Sequence, residues 1–137
     1  EEVLRGEGLS TAAVTRHGTA PLSYDHGAEA LGVLLERNPD TQAVFAISDL
    51  TAVGAAMECQ RRGIVVPDQL SIMGFGDFEI GKVINPPLTT IHVDFNQLGQ
   101  RSGEVLIDVL KNGQPATPHR IDVGLSVVER ESVRKKP

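Results

Sequence analysis

The sequence predicts an α/β fold with a doubly wound, mostly parallel sheet, on three observations. Apolar, strand-like runs alternate with stretches of helical spacing, the pattern of parallel strands joined by helices. Residues 43–47, Ala-Val-Phe-Ala-Ile, are continuously apolar rather than alternating, as in a strand covered on both faces. Aromatic residues make up only 4% of the 137 positions and Trp is absent, so the core is aliphatic and an aromatic-rich β sandwich is disfavoured.

Taken in order, residues 1–7 read as the end of a helix closed by Gly8, and residues 12–15 as a short strand. Ala28, Leu31, Leu34 and Leu35 fall at helical spacing between Tyr24 and Arg37, and Asn38-Pro39 ends that helix. Residues 43–47 predict a central strand. Ser48 and Asp49 follow, and either side chain can cap a helix over 50–62 that Gly63 closes. Pro67-Asp68 makes a turn. Leu70-Ser71-Ile72-Met73 predicts a second buried strand entering the glycine-rich loop Gly74-Phe75-Gly76-Asp77.

A short helix through Val83 is stopped by Asn85-Pro86-Pro87, and the β-branched residues of 88–93 predict another strand. Leu98, Ser102, Val105, Leu106, Val109 and Leu110 mark one face of an amphipathic helix capped by Gly113. Residues 114–119 form a Pro-containing loop. Beyond it Ile121, Val123, Leu125 and Val127 alternate with Asp122, Gly124, Ser126 and Val128, as in one or two exposed edge strands.

Charge and cysteine usage narrow the partners. A net charge of −5 gives no general attraction to nucleic acid, and the basic cluster Arg134, Lys135, Lys136 reads as a solvated tail. The single cysteine, Cys59, excludes an internal disulfide and fits a reducing cytoplasm. No run approaches the roughly 18 apolar residues of a membrane helix, so no membrane partner is expected. The chain opens Glu1-Glu2-Val3-Leu4 without Met, in what reads as a helix interior, which suggests a fragment.

In open α/β sheets ligands bind beyond the carboxyl ends of the strands. Three segments lie there: Ser48-Asp49, residues 75–78, and Asp94-Phe95. No nucleophile elbow, phosphate loop or metal-ligand spacing is present, and no cofactor or metal is expected. The four histidines, His17, His26, His92 and His119, are scattered and read as individually solvated or satisfied. Asp49 and Asp77 can converge as an acid/base pair, but a helix N-cap is the better reading of Asp49, and for Asp77 a turn is as good as a ligand contact. Tyr24 can stack on a ring at the mouth or sit on the surface, Phe95 reads better as core than as pocket wall, and Cys59 and Met57 read as packing residues. Nothing demands catalysis.

Five blocks in order carry a family resemblance: Ala43-Val44-Phe45-Ala46-Ile47-Ser48-Asp49, Ala52-Val53-Gly54-Ala55, Gly63-Ile64-Val65-Val66-Pro67-Asp68, Ser71-Ile72-Met73-Gly74-Phe75-Gly76-Asp77 and Pro86-Pro87-Leu88-Thr89-Thr90-Ile91. They resemble the lactose/galactose repressor family. Within it the stretches 54–61 and 74–81 look most like gluconate-utilisation repressors. The resemblance covers most of the chain and is weaker before Tyr24 and after Arg120.

It implies a periplasmic-binding-protein-like core of type I, two α/β lobes around a small effector, joined to an N-terminal DNA-binding helix-turn-helix that this sequence does not contain. Residues 1–93 would belong to the C-terminal lobe, 94–119 would be a helix and loop of the N-terminal lobe, and 120–137 a returning strand and tail. The implied ligand-binding residues are Tyr24, Ser48, Asp49, Phe75, Gly76, Asp77 and Phe95. The implied homodimer contacts are Ala52, Ala55, Ala56 and Cys59 on the helix, with Phe78, Ile80 and Val83 after it, although burial on its own sheet explains the helix face equally well. Two departures matter: the family's usual effector-binding aspartate falls on Gly76, and the frequent aromatic five residues before Gly27 is Leu22, for which Tyr24 can substitute. Loss of a carboxylate at 76 suits an anionic effector such as a sugar acid. The expected whole is a cytoplasmic repressor that senses a sugar or sugar acid and reaches operator DNA only through the missing domain. A periplasmic sugar-binding protein of a transport system is the alternative.

Overall fold

A computed structural model of the protein describes residues 2–8, 14, 16–113 and 120–135. Its elements are α1 (Glu2–Gly6), α2 (Tyr24–Arg37), β1 (Ala43–Phe45), α3 (Asp49–Arg62), β2 (Ser71–Gly76), α4 (Glu79–Val83), β3 (Thr89–His92), α5 (Phe95–Asn112) and β4 (Ser126–Val128). The helices end where turn chemistry places them: Gly8 closes α1 by donating to the Arg5 carbonyl, and Gly63, at φ 70°, closes α3 by donating to Gln60. The expected strand over residues 12–15 falls, Val14 aside, outside the described residues, as does the loop over 114–119.

The sheet order is β1-β2-β3-β4, the first three parallel and β4 antiparallel to β3. Ala43 pairs with Ser71, Met73 with Thr89, Gly76 with His92, and Thr90 with Val128. Two expectations are corrected here. The run 43–47 is not a central strand among the described residues: only Ala43–Phe45 pairs, along one edge, and Ile47 is 72% exposed. Nor are both faces of the run covered, as expected of it: Val44 and Ala46 pack on the core while Ala43, Phe45 and Ile47 are exposed. The glycine-rich stretch is strand rather than loop, because β2 continues through Gly74, Phe75 and Gly76 in register with β3. Of the alternating segment from Ile121 onward, only Ser126–Val128 pairs.

The segment after β4 is built into the fold rather than being a free tail. Ser132 is buried between the first residues of β2 and β3: its Oγ donates to the Ile72 carbonyl at 2.5 Å and accepts from Thr89 N at 2.8 Å. Its own carbonyl accepts from Ile72 N at 2.8 Å, so the return of the chain closes the lower end of the sheet.

The core is aliphatic, as expected: Leu31, Ala52, Val53, Ala55, Ala56, Cys59, Leu70, Ile72 and Leu88 pack together. On α3, Ala52, Ala55, Ala56 and Cys59 pack in the chain's own core, the second of the two readings of that face. The small residues serve the approach of α3 to its neighbours. At the crossing of α2 and α3 a Cβ on Gly27 would overlap the Thr51 carbonyl, and one on Gly54 the Tyr24 carbonyl, so the two backbones meet glycine against backbone. By contrast α5 buries none of its residues, and its apolar face, Leu98, Leu106, Ile107 and Leu110, is open, with Leu110 76% exposed.

Replacing Gly54 or Gly27 by Ala forces α2 and α3 apart. Each variant is expected to lose about 1–3 kcal/mol, read as a lower urea midpoint with unchanged m-value. Gly99→Ala, where an added Cβ meets nothing within 4 Å, is expected to gain about 0.5–1 kcal/mol by helix propensity.

Candidate functional site

The carboxyl ends of β1, β2 and β3 bring three segments to one end of the sheet: Ile47-Ser48 before α3, Asp77-Phe78 before α4, and Val93-Asp94 before α5. Ser48 is the N-cap of α3, its Oγ accepting from Leu50 N at 3.3 Å. Tyr24 opens α2 beside the first turns of α3, and its side chain is partly exposed. The Phe78 and Phe95 rings stand 5.9 Å apart at 37°, a tilted pair that joins the starts of α4 and α5. Phe95 is half exposed, a mouth residue rather than core.

Asp49 is not the cap and does not line the mouth. It has no solvent exposure; Oδ1 accepts from Thr90 Oγ1 at 2.6 Å and Oδ2 from Phe78 N at 2.7 Å. Gly74 makes room for it, since a Cβ there would overlap Asp49 Oδ1. Side chains alternate along a strand, so Phe75 points to the other face of the sheet, half-buried and in register with Ile91, away from this mouth. Of the implied ligand residues, then, Ser48, Gly76, Asp77 and Phe95 lie at the strand ends, Tyr24 lies beside Gly54 and Met57 in the groove between α2 and α3, and Asp49 and Phe75 do not offer a side chain at the strand ends.

Asp77 is turned inward at φ 55°, in the left-handed region where Asp is among the few side chains tolerated. One oxygen pairs with the Arg130 guanidinium and the other with His92 Nδ1 at 3.1 Å. Burial pushes the Asp77 carboxyl up, and the hydrogen bonds from Arg130 and His92 more than reverse this, leaving it below the ordinary aspartate value. Arg130 also donates to the Leu88 carbonyl at 2.7 Å, and its backbone N–H to Thr89 Oγ1 at 2.9 Å. Sequence reasoning missed Thr90, His92 and Arg130. Thr90 and His92 were legible as alternate residues of one strand face, whereas Arg130 lies 53 positions from Asp77 and carries no local signal.

Elsewhere, a shallow groove of about 590 Å³ runs between α2 and α3, lined by His17, Glu29, Glu36, Glu58 and Arg62 among others. Its charges satisfy one another: Glu58 pairs with Arg61 and Arg62, and His17 with Glu29. The Arg62 hydrogen bond outweighs desolvation and holds Glu58 below its ordinary value. Burial raises the Cys59 thiol to about 11, which leaves it unreactive packing.

Comparison with known proteins bears on the whole chain. A family model for the periplasmic binding protein-like domain matches residues 1–133. The HTH-type transcriptional regulator GntR of Escherichia coli (strain K12) is 35% identical over 105 residues, 77% of this chain and 31% of that protein. The solved structure of a LacI family transcriptional regulator from Silicibacter pomeroyi superposes with a TM-score of 0.83 at 30% identity, over 98% of this chain and 48% of that one. A complex of the transcriptional regulator CelR with cellobiose gives a TM-score of 0.82 at 29% identity, over 96% of this chain and 39% of that one. The chain thus spans about a third of the curated relative's length and half or less of the solved regulators'.

Asp77 is expected to dominate acid stability at this end of the sheet. Its folded value is depressed, so its contribution is fully present above the unfolded aspartate value of about 3.9 and is lost as pH falls through the lower folded one. Urea unfolding between pH 2 and pH 6 should therefore show a shallower acid decline for Asp77→Asn than for the parent, about those approximate limits. Arg130→Ala, which leaves the part-buried Asp77 carboxylate with His92 as its remaining side-chain partner, should lower the urea midpoint at neutral pH.

Proposed function

Because the chain belongs to the periplasmic binding protein-like domain family, in the lactose/galactose-repressor line of transcription regulators, we propose that it is the effector-sensing part of a repressor of carbohydrate utilisation. On this reading residues 1–93 are the C-terminal lobe, 94–119 a helix and loop of the other lobe, and 120–137 the returning strand and tail. The effector is a sugar or sugar acid that closes one lobe on the other and shifts the geometry of attached DNA-binding heads. Operator DNA is reached only through an N-terminal domain outside this sequence, and the regulator works in the cytoplasm.

The observation that carries this reading is the uncovered apolar face of α5, which leaves the strand-end mouth yet buries nothing on the chain's own sheet. An amphipathic helix of 18 residues with no partner is what a lobe-crossing element looks like when only one lobe is present. A binding rather than catalytic role is supported by Asp49 and Asp77, the candidate acid/base pair, since each is committed to internal partners. The relatives are transcription regulators, not enzymes. Among the described residues no helix is long and apolar enough to cross a membrane.

The mouth loop suits an anionic ligand. Gly76 has no side chain, and Asp77 is neutralised by Arg130, so neither repels a carboxylate. The expected effector is an acidic sugar such as gluconate. Homodimer contacts are expected on the exposed apolar residues Val83 of α4 and Met57 of α3; Gln60 of α3 donates to the carbonyl of Asn85, just beyond α4, at 3.0 Å.

Isothermal titration of the full-length protein is expected to show gluconate binding; tight binding of galactose or glucose with none of gluconate would sink the sugar-acid assignment. In sedimentation equilibrium, Val83→Asp should shift the protein from dimer towards monomer, and an unchanged dimer would place the interface elsewhere.

A further inference from the structure

Most polar groups at the strand-end mouth are already committed. Asp49 and Asp77 each use both oxygens internally, Asp94 Oδ1 caps α5 by accepting from Gln97 N at 2.9 Å, and Arg130 is divided between Asp77 and the Leu88 carbonyl. His92 differs. It is the last residue of β3, opposite Gly76 in register, and it shares the face of Thr90 towards α3. Its Nδ1 lies on Asp77, its ring is 45% exposed, and its Nε2 has no hydrogen bond among the described residues. Gly76 beside it contributes no side chain that would cover the ring.

The Asp77 contact also decides what Nε2 can do. An ionised carboxylate only accepts, so Nδ1 carries the hydrogen; Nε2 then offers a lone pair to a hydroxyl when the ring is neutral, and an N–H to a carboxylate when it is protonated. A carboxylate that holds one ring nitrogen fixes tautomer and ring direction together, the arrangement by which outer carboxylates orient ligating histidines. The charged group in contact with the ring is Asp77 on the β2–α4 loop, which itself meets Arg130 after β4 and Lys82 on α4.

Resting on the effector-sensing reading above, we propose that His92 is a recognition residue of this wall: Nε2 binds an oxygen of the sugar or sugar acid, and Asp77 is the positioning residue that orients the ring. The shared chemistry is one oxygen. A hydroxyl donates to Nε2 without changing the proton count. A carboxylate accepts from Nε2–H of the protonated ring, so its binding favours that form.

Calorimetry of the full-length protein with gluconate and, separately, glucose tests this. His92→Ala, which also removes a hydrogen bond to Asp77 and so lowers the thermal unfolding midpoint, is expected to weaken whichever ligand binds by at least tenfold at a temperature where the variant is fully folded, and His92→Gln, which keeps a polar group there, to recover part of the loss. Repeating the titration in buffers of different ionisation enthalpy separates the sources: proton uptake that disappears in His92→Ala marks the carboxylate, and none marks the hydroxyl. Nitrogen-15 spectra of the unmutated protein need no variant to fold. Free protein should carry its ring hydrogen on Nδ1, and the Nε2 resonance should move on saturation. A ligand that binds while the Nε2 resonance stays in place, or binds His92→Ala with parental affinity, overturns the assignment of His92 alone. Binding of neither ligand to the parent protein overturns the sugar-sensing reading and this inference with it. A ring hydrogen on Nε2 in the free protein overturns the orienting role of Asp77.

Discussion

Asp49 has no solvent exposure, and its two oxygens accept from groups 29 and 41 residues away, the Phe78 amide and the Thr90 hydroxyl. A buried carboxylate is tolerable only where such donors meet it, and losing either partner strands a polar group in low dielectric. The first turn of α3 adds to this, because a helix N-terminus favours negative charge. The consequence reaches beyond one residue. To accommodate Asp49, β2 must have glycine at 74, β3 must have a hydroxyl at 90, and the chain leaving β2 must turn so that Phe78 N points inward. One carboxylate therefore sets the relative positions of α3, β2 and β3 at the end of the sheet where the mouth lies.

The division of labour between Ser48 and Asp49 shows why local reading stops short. Both residues are good N-caps, and sequence spacing alone cannot say which one takes the cap. The structure gives the cap to Ser48 because Asp49 is drawn down by Thr90 and Phe78, partners no local window contains. The same holds at Asp77, read as turn or ligand contact, whose position is decided by Arg130 beyond β4. Helices α2 and α3 were legible almost to the residue because periodicity and caps are local quantities. Pairing order was not: the edge position of β1, one face of which is exposed, and the extension of β2 through Gly76 depend on which elements lie alongside. The α3 face of small residues suited a subunit contact and a sheet contact equally, and its burial among Leu70, Ile72 and Leu88 depends on strands that no local window contains.

Arg130 and Ser132 tie the returning chain to the sheet at two levels. Ser132 lies among the amino ends of β2 and β3, while Arg130, two residues earlier, reaches Asp77 beyond the carboxyl end of β2. The chain that departs through α5 is therefore anchored on both sides of its excursion, at His92 where it leaves and at Arg130 where it is held on return, and Asp77 is the common partner of both. Such an arrangement gives α5 a firm root and no packing of its own. Burying its apolar face is left to whatever it meets, and any force on it is delivered to the Asp77 cluster before it reaches the aliphatic core. Asp77 also leads, through Phe78 N, to Asp49. Mouth loop, exit strand and return strand are thus held by hydrogen bonds that share Asp77, with Phe78 N and Thr90 linking them to Asp49.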